Sequence, residues 1–433
     1  MRRKRKCLKG SIDLTTNMNI APGVTLHVLP TDKFKTACFS INFVREHSRE
    51  NAGPDALLPS VLLRATEKYP DIQSISVRLD ELYGATFGTL VRRKGDVKLV
   101  GFYADFIEDD FLPEGEGVFA ELIDFAEQVL LHPYTENGCF CERFVEGEKQ
   151  NLISAIESNI NDKRAYAVRR LLQIMCKDEA YGIPRLGYSE DVAKITPQEL
   201  WKHYCKILKE SRVEIFYAGR RPAEVVAAAF APLFDRAQAE FACPSTQVVA
   251  QAGALKEVSE AMDVTQGKLV MGLRSGITGS QKDYAALLLL NAIFGAGATS
   301  KLFVNVREKL SVCYYASSSI DKYNGTMLIS SGISFENYEV AKQAILKELE
   351  DCKNGVISDY ELQSAKSQII SSFKIALDSP TRVDDFYIGM ALAPCEQIAE
   401  LMERVAALEI SDVAAAANKL SLDTIYFLKG EEA

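Results

Sequence analysis

Histidine is scarce in this sequence, with four residues in 433, and tryptophan occurs once. His27, His132 and His203 stand alone, one in a β-like segment and one just before Pro133. Isolated histidines of this kind read as structural residues, since a catalytic zinc needs about three protein ligands brought together. Positive charge is also in deficit: 50 Lys and Arg face 59 Asp and Glu, giving a formal charge of -9 and a pI near 5.3. That balance lacks the electrostatic footprint of a nucleic-acid binder. The basic start MRRKRK reads as a solvated terminus.

Long apolar runs are missing as well. The stretch AALLLLNAIFGAGA is broken by Asn291 and falls short of the roughly 20 residues that a membrane span requires. CLKGSIDLTTN, which follows the basic start, is too polar for the core of a signal peptide, so a cytoplasmic protein is expected. The ten cysteines are scattered except for Cys139 and Cys141. A lone CxC without a second pair or a nearby histidine reads as two buried thiols and not as a metal site. The class left standing is an ordinary soluble chain, 47% hydrophobic and 25% charged, long enough for two cores.

What is present is an order of elements that occurs twice. The first half runs through β-like GVTLHVLP and TACFSINFV, helices over 55–67 and 72–84, a strand pair turning around Arg92-Arg93-Lys94-Gly95-Asp96, and further helices. The second runs through GKLVMGLRSGI, helices near 282–294 and 300–309, strands SVCYYASSSI and GTMLISSGIS, and helices again. FVEGEKQNLISAIES, from Phe144, resembles ELQSAKSQIISSFKI, from Glu361, 217 positions later. Each half also closes with a helix running into a short strand, ending at Gly219 and at Gly430. Such self-similarity predicts a duplication. The expected class is α+β: two homologous domains, 1–225 and 256–433, each an antiparallel sheet packed with helices, joined by a linker over 226–255.

Within GPDALLPSVLLRATEKYPD, residues 53–71, the apolar stripe Leu58, Val61, Leu62 and Ala65 marks a buried helix face. The helix is expected to open after Asp55, with Pro59 in its first turn, where a missing N–H is tolerated. Beside the stripe, Ala56, Pro59 and Ser60 have the spacing with which a helix converges side chains on one metal ion.

Together with LDELYGATFG, FVEGEKQNLISAI and FGAGATSKLFVNVREKLSVCYYASSS, this segment resembles the pitrilysin/insulinase metallopeptidases. These are the inverzincins, whose zinc helix carries H-x-x-E-H and which include the mitochondrial processing peptidases. The resemblance spans about residues 20 to 430, and SKLFVNVREKLSVCYYA is its most specific part. It places the first histidine ligand at Ala56, the glutamate base at Pro59 and the second histidine at Ser60. On the later helix it places a supporting glutamate at Glu148 and the glutamate ligand at Ala155. Alanine has no donor, serine a poor one, and proline cannot take a proton, so the resemblance implies a subunit without metal or catalytic residues of its own.

Further expectations follow from the resemblance. Arg307 and Tyr314, with Tyr315 beside it, match an arginine and a tyrosine that hold the substrate backbone, alternatively an ordinary helix-surface arginine and a packed strand aromatic. Gly295 and Gly297 match a glycine-rich loop facing the central chamber; FGAGATSK lacks the Gly-Lys-Ser/Thr ending of a phosphate loop. A double-domain unit of this size is expected to pair with a homologous zinc-bearing subunit, or with itself, around a peptide substrate, the zinc being held by the partner. Two other readings stay open. One is an active zinc peptidase with displaced ligands such as His47, Glu50 and Glu148 or Glu157, although His47-Ser48-Arg49-Glu50 reads as a solvated loop. The other is a purely structural scaffold subunit.

Overall fold

Near-continuous apolar runs such as TACFSINFVRE specify strands buried on both faces, and in the computed structural model of the protein that segment is the central strand of the first sheet. The structure describes residues 15–237, 241 and 243–431. The basic run at 1–6 therefore lies outside the described residues. The first sheet contains β1 (Thr16–Ala21), β2 (Val24–Pro30), β3 (Thr36–Glu46), β4 (Thr86–Lys94), β5 (Val97–Ile107) and β8 (Arg212–Gly219), in the order β1-β2-β8-β3-β5-β4. Two short strands, β6 (Thr135–Glu136) and β7 (Cys139–Phe140), form a separate hairpin. The second sheet contains β9 (Lys256–Ala261), β10 (Gly267–Arg274), β11 (Cys313–Asp321), β12 (Thr326–Ile333) and β13 (Ser421–Lys429), in the order β11-β12-β10-β13-β9.

Reversing the second order and setting it beside the first matches every strand from β2 to β4. The one parallel pair of each sheet, β2 with β8 and β9 with β13, falls at the same place, and the remaining pairs are antiparallel. The duplication read from the sequence is thus a duplication of topology, with β1 as an added edge.

Helices of the first half are α1 (Arg49–Leu62), α2 (Ile72–Glu81), α3 (Phe119–Leu131), α4 (Glu142–Ser158), α5 (Lys163–Met175), α6 (Ser189–Val192), α7 (Pro197–Glu210) and α8 (Ala223–Phe230). Those of the second are α9 (Tyr284–Phe294), α10 (Tyr338–Lys353), α11 (Asp359–Ala376), α12 (Pro380–Leu392), α13 (Ile398–Ala407) and α14 (Ile410–Ala417), with a π-helical turn over Leu302–Lys309 after α9. Several starts are fixed by side chains that satisfy the orphan N–H groups: Thr196 with Glu199 at α7 and Ser358 with Glu361 at α11 are reciprocal capping boxes. Val226, Phe230, Leu233 and Phe234, which follow the end of the expected first domain, pack into the first core.

Each sheet covers one face with helices of its own half. The other face is covered by a helix lent from the opposite half. α5 lays Ala167, Leu171 and Met175 on Val270, Tyr426 and Leu428 of the second sheet. Reciprocally, α12 lays Val383, Tyr387 and Ile388 on Cys38, Leu99 and Phe216 of the first. Buried ion pairs close both exchanges: Arg274 on β10 grips Glu179 at 2.6 Å and Asp423 at 3.1 Å, and Arg92 on β4 pairs with the buried Asp384 of α12.

Two details of α1 correct the sequence reading. The helix starts at Arg49, not after Asp55, because the Ser48 hydroxyl accepts the Asn51 N–H at 3.2 Å and caps it. Gly53 does not break it; Gly187 crosses the helix there, and a Cβ added at Gly187 would come within 2.8 Å of the Gly53 nitrogen. Pro59 accordingly lies in the helix body and not in the first turn. The helix also stops at Leu62, and Ala65 packs with Cys141 and Phe144 in a separate cluster.

Candidate functional site

α1 packs against α4, and the facing residues frame a cavity of about 300 Å3. Its wall includes Ala56 and Ser60 from α1, Glu148 and Ala155 from α4, Thr89 and Val91 from the edge strand β4, and Arg185. Four of the five positions singled out by the resemblance therefore meet around one space. Pro59 does not join them. It lines instead an apolar gap beside Phe43, Leu62 and Tyr204.

The donor set of this cavity does not suit zinc. Ala56 and Ala155 carry no donor, Ser60 offers a hydroxyl, and the Glu148 carboxylate lies 3.5 Å from the Arg64 guanidinium. Among the described residues, no three His, Cys, Asp or Glu side chains are gathered where a metal ion could be held. Zinc chemistry at neutral pH needs such a set to lower the pKa of a bound water.

Displaced ligands fare no better. His47 is buried and not part of a solvated loop; its Nε2–H donates to the Ile183 carbonyl at 3.0 Å. Burial, reinforced by the Lys98 and Arg93 cations, pushes its pKa down to about 4. Glu50 stands in the first turn of α1 and lines a different recess with Arg49 and Glu199. Glu148 belongs to the α1–α4 cavity, and Glu157 is exposed near the end of α4. The structure does not bring these groups together.

The remaining histidines each have a structural partner: His27 sits between Asn17 and Glu214, His203 reaches the buried Asp55 at 2.8 Å, and His132 lies 3.7 Å from Glu67. Cys141 is buried and Cys139 half-buried, and both are free thiols.

In the second half, Arg307 lies in the π-helical turn over the Phe303 ring, with Glu308 at 3.5 Å. Tyr314 on β11 is 64% exposed. The two side chains are not hydrogen-bonded to each other. Strand alternation sends Tyr315 the other way, where its ring lies 4.2 Å from the Arg164 guanidinium. The Gly295–Gly297 turn joins α9 to the π-helical turn, as expected for a helix connection. A Cβ at Gly295 would come within 2.5 Å of the Ser318 hydroxyl and 2.7 Å of its backbone nitrogen, so close packing demands that glycine, whereas one at Gly297 would meet only the movable end of the Gln368 side chain.

A relative in Bacillus subtilis, named probable inactive metalloprotease YmfF, is 30% identical over 411 residues, covering 95% of this chain and 96% of its own. The chain belongs to the M16 peptidase family. The family pattern described as "Peptidase M16 inactive domain" matches residues 194–369. Among solved structures, a conserved protein from Enterococcus faecalis is 31% identical, with a TM-score of 0.90 over 97% of this chain and 99% of its own. An M16 inactive domain from Pseudomonas fluorescens shares the fold at 18% identity, with a TM-score of 0.76 over 96% of this chain and 98% of its own. The inactivity in the name of the B. subtilis relative accords with the donor-poor lining of the α1–α4 cavity in this chain. No helix among its described residues is long and apolar enough to cross a membrane.

The sequence reading missed the role of the segment Tyr181–Glu190. It supplies Arg185 to the cavity and the glycine that crosses α1, yet it carries no periodicity that would have marked it.

Proposed function

We propose that this chain is a non-catalytic subunit that pairs with a homologous M16 chain carrying an intact H-x-x-E-H helix. The pair encloses a chamber in which the partner's zinc cleaves peptides, and this chain lends Arg307 and Tyr314 to the substrate. The observation that carries the reading is the α1–α4 cavity: its frame is kept, while every position that would hold zinc lacks a suitable donor. The exposure of Tyr314 and the pairing of Arg307 with only its neighbour Glu308 support the second part, because both side chains remain free to reach outside the chain. Tyr315, stacked under Arg164, is committed within its own chain and is the lesser candidate. The same reading puts the protein in the cytoplasm, where the nine free cysteines of the described residues stay reduced.

The test is to purify the chain alone and with H-x-x-E-H homologues from its own genome, then measure zinc and peptide turnover. The isolated chain should hold no stoichiometric zinc and show no hydrolysis. In the active pair, Arg307→Ala with Tyr314→Phe should lower turnover roughly 10²-fold while the complex stays assembled, the scale for losing one donor to a developing oxyanion. Unchanged turnover in an intact complex would make the role that of a scaffold, and a zinc-bearing, active isolated chain would overturn the reading altogether.

A further inference from the structure

A cleft of about 610 Å3 lies between α5 and the segment Tyr181–Glu190, and it shares Arg185 and Leu186 with the α1–α4 cavity. Four guanidiniums line it: Arg93, Arg164, Arg169 and Arg185. None of them is paired with a carboxylate. Arg93 donates to the Tyr181 and Ile183 carbonyls, both at 2.9 Å. Arg164 donates to the Ser317 hydroxyl at 2.9 Å, and Arg185 to the Val91 carbonyl at 2.6 Å. Arg169, half-buried, has neither a hydrogen bond nor an ion pair.

The wall holds two acidic groups, Asp162 and Glu190. The Asp162 carboxylate caps α5, accepting the Arg164 and Ala165 N–H groups at 3.0 Å. Glu190 faces Arg49 at 3.2 Å, outside the set of four. Burial depresses the pKa of Arg169, against the opposing charge of Asp162, and burial together with the nearby Arg93 depresses that of Arg185, so the one carboxylate acting within the cluster faces four guanidiniums. In a chain of net charge -9, such a collection is not a by-product of composition.

We infer that this cleft binds the carboxylates of an acidic peptide segment. Planar guanidiniums match carboxylates in two-pronged hydrogen bonds, and four of them with no carboxylate hydrogen-bonded to any gain most from several carboxylates on one flexible chain. The first amides of α5, which would cradle a phosphate, are taken by Asp162. Three rings at or beside the cleft on which a nucleic-acid base would stack, Tyr181, Tyr188 and Tyr315, lie under Arg93, Arg49 and Arg164 at 4.3, 4.5 and 4.2 Å. The inference rests on the chamber reading for the biological role of that peptide, since a segment lying here would run on to the cavity beside α1.

The experiment uses the isolated full chain and fluorescein-labelled peptides, one rich in glutamate and one rich in lysine, followed by anisotropy at low and high salt. The glutamate peptide should bind at least about tenfold more tightly than the lysine peptide and weaken as salt rises. Arg169→Glu should weaken it by roughly tenfold, about the worth of one charge-assisted hydrogen bond, while Arg382→Glu on exposed α12 surface leaves it unchanged. If Arg169→Glu lowers the melting temperature, Arg164→Gln gives the same reading. Equal binding of both peptides, or unchanged affinity in both variants, would overturn the site. Displacement by millimolar inorganic phosphate would overturn the choice of carboxylate. Failure here leaves the turnover test of the chamber untouched, and failure of that test leaves this binding measurable.

Discussion

Arg64 and Glu148 face each other at 3.5 Å between the end of α1 and the middle of α4, so a guanidinium balances the carboxylate that borders the α1–α4 cavity. The Arg64 side chain is 36% exposed, which lets water screen the pair. Arg64→Ala should therefore cost no more than about 1 kcal/mol in unfolding experiments. A larger loss would mean that the pair holds α1 against α4.

The cavity frame itself can be tested by refilling it. The triple variant Ala56→His, Ser60→His, Ala155→Glu restores the ligand set on positions that already meet around one space of about 300 Å3. It should retain about one zinc per chain after dialysis, measured by elemental analysis, where the unaltered protein retains under a tenth of that. Hydrolysis should stay absent, because Pro59 supplies no base and faces the apolar gap at Phe43. Absence of zinc from a folded triple variant would show that the three positions do not converge as the packing of α1 on α4 implies.

The two halves should be coupled through Arg274. Its guanidinium is 2% exposed and bonded to Glu179, Asp423 and the Met175 carbonyl at 3.2 Å. Arg274→Ala leaves two carboxylates without their cation, at a cost of about 3–5 kcal/mol. Arg274→Lys should recover little, since an ammonium cannot make the forked contact with Glu179. Chemical denaturation of both variants checks this, and a midpoint within error of the unaltered protein would exclude Arg274 as the lock.

His47 should shape the acid limb of stability. Its folded-state pKa of about 4 lies below the 6.5 of a free imidazole, because burial disfavours the charged ring. Above pH 6.5 the ring is neutral in both states. Between 6.5 and 4 the unfolded chain takes up a proton that the folded one refuses, so stability falls with pH, by about 3 kcal/mol at most. His47→Asn should flatten this limb in melting curves recorded from pH 7 to 4. Parallel curves for the two proteins would refute the assignment.

Much of the fold was legible because its signals are local. The runs around Val24 and Thr36 alternate or saturate with apolar residues as strands must, and the repeated helix from Phe144 and Glu361 betrays duplication without any structure. Errors clustered where a tertiary contact overrode a local rule. Gly53-Pro54 looked like a break, yet the helix runs through both, and Ser48 caps it at an earlier start. His47 looked solvated because its neighbours are polar, but it is covered and held by Ile183. The exchange of α5 and α12 had no local signature either, since an amphipathic helix does not say which sheet it will cover.

By itself the sequence determined what the positions matched to the family's ligands can offer: Ala56 and Ala155 have no side-chain donor and Ser60 only a neutral hydroxyl, whatever the fold does with them. Only the tertiary structure decided that these three positions and Glu148 meet around one cavity, that Pro59 lines a separate apolar gap, and that Arg93, Arg164, Arg169 and Arg185 converge beside it. Chemical capacity belongs to each residue separately and can be read from its letter. Convergence depends on distances in space between residues far apart along the chain, and these are set when sheets and helices pack.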